Sequence, residues 1–153
     1  MADSRRHQDV SDITDIYNDA VLHTTAIWND NVVDEENRRV WIEKQTAQGF
    51  PILIAVEDEA VLGYATFGLF RPHDGYRYTV ENSIYVRSDQ RRRGIAATLM
   101  APLITAANRF GAHAIIAGID AQNMASIRLH EHFGFHEVGH LPEVGKKFDR
   151  WLD

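Results

Sequence analysis

The segments Ser83-Ile84-Tyr85-Val86 and Arg91-Arg92-Arg93-Gly94-Ile95-Ala96 decide the fold of this chain. The first has the apolar character of a strand, and the run that starts at Ile95 has the periodicity of a helix. A glycine-bearing turn that opens a helix presents several unpaired backbone N–H groups to one point, where the helix dipole adds partial positive charge. The turn therefore predicts a site for a pyrophosphate-bearing cofactor. On composition alone, a solvated basic loop is the alternative.

Two common phosphate-binding motifs are missing from the sequence. It contains neither the GxxxxGK[ST] pattern of a P-loop nor the GxGxxG pattern of a Rossmann dinucleotide site. The pattern at this turn is instead Arg-x-x-Gly-x-Ala. The predicted phosphate site is thus neither a P-loop nor a Rossmann dinucleotide site.

Length and composition narrow the class of protein. The 153 residues suit one compact domain, and we expect a single domain over 1–153. Cysteine is absent, which excludes disulfides, thiolate nucleophiles and thiolate metal sites. A net charge of −6 argues against nucleic acid or an anionic membrane as a partner. The polar first residues and the lack of an apolar run of about 20 residues predict a cytoplasmic protein.

The order of the predicted elements is ααβββαβα. Helices are expected over 9–22, 34–48, 94–110 and 123–133, and strands over 51–56, 60–69, 79–86 and 114–119, with a further strand starting at 135–139. A hairpin-rich first half followed by βαβα predicts an α/β (mixed α+β) fold, with a mixed sheet and helices on both faces. The crossover helix makes strands 79–86 and 114–119 parallel.

The glycine turn resembles the signature of the GNAT acetyltransferase superfamily, [Arg/Gln]-x-x-Gly-x-[Gly/Ala]. Three further segments resemble the phosphinothricin and methionine sulfoximine N-acetyltransferases within it: GYRYTVE at 75–81, NMASIRLHE at 123–131 and VGKKFDRWLD at 144–153. The similarity covers nearly the whole chain. It implies a GNAT-like fold whose central sheet is splayed, and an enzyme that transfers an acetyl group from acetyl-CoA to an amine without a metal.

The resemblance also implies where acetyl-CoA binds. Backbone N–H groups of the turn hold the pyrophosphate, the end of the preceding strand pairs with the pantetheine arm like an added strand, and Asn123 bonds the pantetheine side. A helix N-cap is a second role for Asn123, compatible with the first. The cofactor-binding residues implied in this way are Ile84, Tyr85, Val86, Arg91, Arg92, Arg93, Gly94, Ile95, Ala96, Ala97, Asn123 and His132.

Acetyl transfer requires a neutral amine, because an ammonium has no lone pair. The resemblance places the base that takes this proton at Glu81, whereas a strand glutamate on its own is usually a solvent-facing residue. Family members often carry a tyrosine on the late helix as the acid for the leaving thiolate, and His130 stands at that position here. His130 has three readings: the acid, an acceptor-binding residue or a space-filling one.

The resemblance implies an acceptor that is a small amino acid with a tetrahedral side-chain end. Guanidinium groups suit its carboxylate, since they bind carboxylates bidentately. The substrate-binding residues implied are Arg71, Pro72, His73, Arg77, Thr79, Glu81, Asn82 and Ser83, with Trp28 as a wall of the pocket. The segment Lys146-Lys147-Phe148 resembles a family stretch that approaches the partner subunit's site, which implies a homodimer.

Relatives continue beyond the Leu152-Asp153 motif into a last strand, so we expect that this sequence is truncated or has a further tail. The histidines at 130, 132, 136 and 140 suggest a metal, but Gly134 and Gly139 interrupt them and carboxylates at ligand spacing are missing. Two other functions remain open from the residues. One is acetylation of a polyamine or an antibiotic, which would favour carboxylates in the pocket, and the other is a non-catalytic acyl-CoA sensor.

Overall fold

The computed structural model describes residues 7–153. The helices are α1 (His7–His23), α2 (Glu35–Ala47), α3 (Ile95–Phe110) and α4 (Met124–His132), with short 3₁₀ turns at Asp74–Tyr76 and Ser88–Gln90. The strands are β1 (Ile52–Glu57), β2 (Ala60–Leu69), β3 (Thr79–Val86), β4 (Ala114–Ile116), β5 (Gly145–Lys147) and β6 (Arg150–Leu152). Within 7–153, no helix combines the length and the apolar character that crossing a bilayer requires.

Four of the strands form one mixed sheet in the order β1-β2-β3-β4. The pairs β1–β2 and β2–β3 are antiparallel, and β3–β4 is parallel. The parallel pair follows from the crossover through α3, because a strand, a helix and a second strand in one sheet return in the same direction. The sequence-based predictions of a mixed sheet and of this parallel pair are confirmed.

Helices cover both faces of the sheet, and the two-residue period of the strands sorts the side chains between them. Leu53 and Phe67 point to one face, where they pack with Leu103 of α3. Ile54 and Tyr64, which pair across the same two strands with the opposite alternation, pack on the other face against α1 and α2. These two hydrophobic clusters pack helices onto both faces of the sheet and confirm the predicted layers.

The sheet splays beyond Glu81. Pairing between β3 and β4 covers only Thr79–Glu81 against Ala114–Ile116, while β3 continues on β2 as far as Val86. The predicted strand 114–119 is therefore three residues too long, since residues 117–119 leave the edge of β3. The residues stay apolar through Ile119, but an apolar residue indicates only burial. It does not indicate whether its backbone pairs with a neighbouring strand. The gap between the strands opens a cleft along the edge of β3.

A second hairpin, β5–β6, replaces the strand predicted at 135–139. That prediction is wrong, because residues 135–140 have no regular structure. The turn of the hairpin is Phe148-Asp149, with left-handed φ values of 51° and 56°. A two-residue turn of this kind usually carries Asn-Gly, and left-handed backbone costs other residues about 1–2 kcal/mol each. The hairpin therefore lacks the usual turn signal in its sequence.

Candidate active site

The cleft between β3 and β4 is part of a cavity of about 1020 Å³. Its wall is built from the end of α1 and the loop after it, from β3, from the turn before α3, from the β4–α4 loop, from α4 and from the β5–β6 hairpin. Six separate parts of the chain thus converge on one space. Its size and its mixed lining are typical of a site for a substrate together with a large cofactor.

The turn at one end of the cavity fits a pyrophosphate. Gly94 is the N-cap of α3 and has no side chain that caps the helix, so the N–H groups of Ile95, Ala96 and Ala97 have no intrahelical acceptor. Gly94 adopts a left-handed φ of 78°. A Cβ at this position would have no protein atom within 4 Å, so backbone conformation, rather than crowding by the protein, is what favours glycine here.

The three arginines of the turn have different surroundings. Arg91 and Arg92 line the cavity, and Arg91 lies 3.9 Å from the carboxylate of Asp19. Arg93 is directed elsewhere: its guanidinium donates to the Glu57 carboxylate at 2.9 Å and lowers the pKa of that carboxyl. Arg93 therefore does not line the cavity, although the sequence placed it among the cofactor residues.

Glu81 stands where the sheet opens. It is the last residue of β3 that is paired with β4, opposite Ile116, and its side chain lines the cavity. Partial desolvation raises the pKa of the Glu81 carboxyl above its usual range. Gly118 borders the carboxylate so closely that a Cβ there would lie 3.1 Å from Oε1. A carboxylate with a raised pKa beside a cleft has the properties of a general base.

Asn82 and His130 form a buried pair on the cavity wall, with exposed fractions of 8% and 6%. The Ser126 carbonyl oxygen, which only accepts, lies 2.7 Å from His130 Nδ1, so Nδ1 carries the hydrogen. Burial lowers the pKa of His130, which favours the neutral ring. Nε2 is then an acceptor, and Asn82 Nδ2 donates to it at 3.0 Å. The imidazole thereby fixes which way the amide of Asn82 faces.

This arrangement leaves the amide oxygen of Asn82 buried without a hydrogen-bond partner in residues 7–153. An unpaired buried acceptor costs about 1–3 kcal/mol, which a bound donor would recover. The same arrangement bears on the acid role predicted for His130. The one N–H of the neutral ring is bonded to a backbone carbonyl, and the lone pair of the other nitrogen is bonded to Asn82, which favours positioning over proton donation.

Asn123 and the residues at the end of β3 line the cavity. The side chain of Asn123 caps α4 by accepting the N–H of Ser126 at 3.2 Å, and the residue also lines the cavity. The N-cap reading is thus confirmed. Ser83, Ile84, Tyr85 and Val86 line the cavity along the unpaired edge of β3.

The structure does not bring every predicted site residue to the cavity. Besides Arg93, those that do not line it are Arg71, Pro72, His73, Arg77, Thr79 and His132. Arg71 and Arg77 lie in the exposed loop before β3, where their guanidinium groups stack on Tyr76 and Tyr78 respectively. Trp28 packs on Gly145 and is likewise absent from the wall. The roles assigned to these residues stay predictions.

Sequence reasoning missed several residues of the wall. Asp120 is buried and accepts from the Thr25 hydroxyl and from the Gln122 N–H, which ties the β4–α4 loop to the loop after α1. Phe148 and Arg150 reach the cavity from the β5–β6 hairpin. Among residues 7–153, the structure has no cluster of three His, Asp or Glu side chains suited to hold a metal.

Comparison with known proteins explains this combination of a splayed sheet and a glycine turn. The model of the acetyltransferase (GNAT) family matches residues 13–135. The chain belongs to the GNAT acetyltransferase family. The sequence-based resemblance and the predicted GNAT-like fold are therefore confirmed, and the protein is an acetyltransferase.

Relatives of this GNAT acetyltransferase include two with named activities. An L-methionine sulfoximine/L-methionine sulfone acetyltransferase of Salmonella typhimurium is 50% identical over 145 residues, which are 95% of this chain and 85% of the relative. A phosphinothricin N-acetyltransferase of Streptomyces coelicolor is 36% identical and is matched over 95% of this chain and 87% of its own length. A Salmonella typhimurium structure solved with acetyl-CoA is 49% identical, with a TM-score of 0.94 and coverage of 99% and 86%.

Proposed function

We propose that this acetyltransferase moves the acetyl group of acetyl-CoA to the α-amino group of a small amino acid of the methionine sulfoximine or phosphinothricin type. Transfer is direct, within a complex that holds both substrates. The observation that carries the proposal is the placement of Glu81, a carboxylate with a raised pKa, at the point where the cleft opens in the same cavity as the pyrophosphate turn.

Several features of the chain fit acetyl-CoA. The uncapped N–H groups at residues 95–97 suit the pyrophosphate, with Arg91 and Arg92 beside them. The edge of β3 that β4 leaves unpaired suits an extended pantetheine arm, which carries amide groups that pair as a strand does. The buried, unpartnered oxygen of Asn82 suits one N–H of a bound ligand. Acetyl-CoA supplies the activated acyl group, and its thiolate leaves when the amide bond forms.

The chain's own contribution to the chemistry is the removal of a proton. An α-ammonium must lose a proton before its nitrogen can attack, and the Glu81 carboxylate takes this proton directly or through one water molecule. Desolvation raises the pKa of the Glu81 carboxyl and so makes its carboxylate a stronger base than that of an ordinary glutamate. The new C–N bond replaces the C–S bond of the thioester, and the attacking nitrogen then loses a second proton, which neutralises the leaving thiolate directly or through water. The first proton passes from Glu81 to solvent.

We assign His130 a positioning role in this site. Its neutral ring holds Asn82 with the amide nitrogen toward the imidazole, so that the amide oxygen remains an acceptor for ligand. The alternative acid role requires a proton on Nε2, which is the nitrogen that accepts from Asn82. The Asn82 contact thus provides the reason to prefer positioning.

One assay tests the proposed function. Purified protein is incubated with acetyl-CoA and L-methionine sulfoximine, L-methionine sulfone, phosphinothricin, a polyamine or an aminoglycoside, and free thiol is followed. Turnover of the amino acids, lost in Glu81→Gln and kept in Glu43→Gln, is expected. Glu43 is an exposed residue of α2 and serves as the matched control. Thiol release with the polyamine alone would refute the proposal, and acetyl-CoA binding without turnover of any amine would instead indicate a sensor.

We further propose that the protein is a homodimeric, single-domain enzyme of the cytoplasm. Large apolar side chains are exposed near the end of the chain, among them Val138 at 81%, Leu141 at 66% and Trp151 at 61%, which favours burial against a second copy. Light scattering coupled to gel filtration tests the dimer. A mass of one chain, 17.4 kDa, at micromolar concentration would contradict it.

A further inference from the structure

The side chains of β3 alternate between the two faces of the sheet, and Asn82 lies on the face that α3 covers. Val80 lies in the hydrophobic cluster under α3, and Ile84 packs against it; both share the alternation of Asn82. Tyr85, which packs against the cluster on the other face, shares the alternation of Glu81. Asn82 and Glu81 therefore face opposite sides of the sheet.

The side of the sheet that Asn82 faces is the one assigned to acetyl-CoA. α3 begins directly after Gly94 of the pyrophosphate turn, and α4, capped by Asn123, carries His130. The base, Glu81, acts from the other face. The donor that fits the unpaired amide oxygen of Asn82 is therefore an amide N–H of the pantetheine arm, and not the amine of the acceptor.

The orientation of the Asn82 amide depends on the protonation of His130. The neutral ring accepts from the amide nitrogen of Asn82 at Nε2, which leaves the amide oxygen unpaired. A protonated ring carries a hydrogen on both nitrogens, so it would set a donor against a donor. A half-turn of the amide then places its oxygen on Nε2–H, in a charge-assisted bond about twice as strong as a neutral one.

Within residues 7–153, no charged side chain is bonded to the His130 ring. Its contacts are Asn82, Ser126 and the ring of Phe135, whose centroid lies 5.0 Å away. The ionisable side chains of the adjoining elements are Glu81, Asp120, Arg128, Glu131, His132, His136 and Glu137. None of them forms a hydrogen bond or an ion pair with the ring in this part of the chain. The proton on Nε2 is therefore free to respond to a ligand.

We infer that Asn82 and His130 form a proton-controlled acceptor for the pantetheine arm of acetyl-CoA. The neutral ring leaves the amide oxygen to an N–H of the arm, and the protonated ring takes that oxygen for itself. The inference rests on the proposed function and specifies how acetyl-CoA is held. It assigns Asn82 to the cofactor, whereas the resemblance placed it with the acceptor. By linkage, the arm and the proton each weaken the binding of the other by the same factor.

The magnitude follows from one hydrogen bond. Its loss weakens binding of the arm by about 3- to 10-fold. The same factor lowers the midpoint of the His130 titration by about 0.5–1 pH unit when the arm is bound. The charge of the phosphates acts in the opposite direction, because an anion stabilises a nearby imidazolium and raises its midpoint. The sign of the change thus separates the two effects.

The first test follows the His130 ring by nuclear magnetic resonance through a pH titration without ligand, with saturating CoA and with saturating ADP. The chain has eight histidines, so the His130 signals are assigned by their loss in His130→Phe. CoA is expected to lower the midpoint by about 0.5–1 pH unit. ADP, which has the pyrophosphate without the arm, should leave it unchanged or raise it. A midpoint that CoA leaves unchanged or raises, or that ADP lowers equally, overturns the inference.

The second test removes both polar groups in the double variant Asn82→Leu/His130→Phe. Calorimetric titration should show CoA bound about 3- to 10-fold more weakly and ADP bound as in wild type. The melting temperature should not fall, because the variant no longer buries an unpaired acceptor. Asn108→Leu and His136→Phe, at exposed positions, are the controls. A lower melting temperature with equal weakening of CoA and ADP shows a structural role only and overturns the inference.

The titration on wild-type protein decides alone if the double variant does not fold. Because the pair acts on cofactor binding, the acid fall of kcat/KM for the acceptor at saturating acetyl-CoA belongs to Glu81. Wild-type protein that shows the lowered midpoint but acetylates no amino acid refutes the proposed function and supports this inference. Amino-acid turnover with a midpoint that CoA does not lower refutes only the inference.

Discussion

Replacing Gly63 by alanine tests whether the close approach of β2 and β3 shapes the edge on which acetyl-CoA is proposed to lie. Gly63 pairs with Val86, the last residue of β3. A Cβ at Gly63 would lie 2.8 Å from the Tyr85 carbonyl oxygen and 3.3 Å from Ile95 Cγ2 at the start of α3. The end of β3 and the start of α3, which both border the cofactor cleft, thus meet at this glycine.

The magnitude follows from these contacts. Ordinary contact begins near 3.4 Å, so the strands must separate by about 0.6 Å, and the obstacle is backbone that cannot rotate away. Overpacking of this kind costs about 1–3 kcal/mol, and the stiffer unfolded chain returns about 0.4–1 kcal/mol. A net loss of about 1–2 kcal/mol corresponds to a melting temperature lower by about 2–8 °C for a chain of this size.

Thermal melting and calorimetric titration with acetyl-CoA measure both effects. Gly68→Ala is the matched control, because Gly68 lies on the same strand and a Cβ there meets nothing within 4 Å. We expect Gly63→Ala to melt lower and to bind acetyl-CoA more weakly, with Gly68→Ala near wild type. Equal melting temperatures and equal affinities for the two variants would show that this contact does not set the cofactor edge.

Three further predictions concern Glu81 and the glycine turn. Because burial raises the pKa of Glu81, kcat/KM should fall as the pH drops through that raised pKa. This fall should occur at a higher pH than the one at which an ordinary glutamate titrates. A Glu81→Gln variant whose pH profile keeps the same fall on the acid side would contradict this prediction. Gly118→Ala, whose Cβ would lie 3.1 Å from Glu81 Oε1, should lower kcat several-fold in steady-state assays at unchanged melting temperature; unaltered kcat would show that the carboxylate is not held there. Arg93→Met should leave the KM for acetyl-CoA unchanged, since its guanidinium is engaged by Glu57, whereas a marked rise would restore Arg93 to the cofactor site.

Much of the fold was predictable from the sequence because apolar runs mark the strands and the order of strands and helices sets the strand directions. β2 and β3 have the bounds expected from their apolar runs, and the parallel return of β4 follows from the crossover through α3. The β5–β6 hairpin was missed because its turn is Phe148-Asp149, which lacks the glycine that usually marks left-handed turns. The end of β4 was misplaced because residues 117–119 stay apolar after pairing stops.

Some site residues are likewise positioned by the neighbouring sequence, and others by contacts between distant parts of the chain. Gly94 and the edge residues 84–86 follow from sequence order, since the turn directly succeeds the strand. The contacts of Lys147 with Thr24 and Ile27 join positions more than 100 residues apart, which no local pattern specifies. The orientation of the Asn82 amide depends likewise on His130, 48 residues away. Arg71 and Arg77 have suitable chemistry, but only the structure shows that their loop lies away from the cavity wall.

The rate of thiol release with acetyl-CoA and L-methionine sulfone at neutral pH measures directly whether Glu81 is the base for acetylation of an amino acid. A catalytic base at Glu81 predicts turnover by the wild-type protein, with one thiol released for each acetylated amine, and a loss of about 100-fold or more in kcat/KM for Glu81→Gln at unchanged acetyl-CoA affinity. Equal kcat/KM for wild type and Glu81→Gln would contradict it.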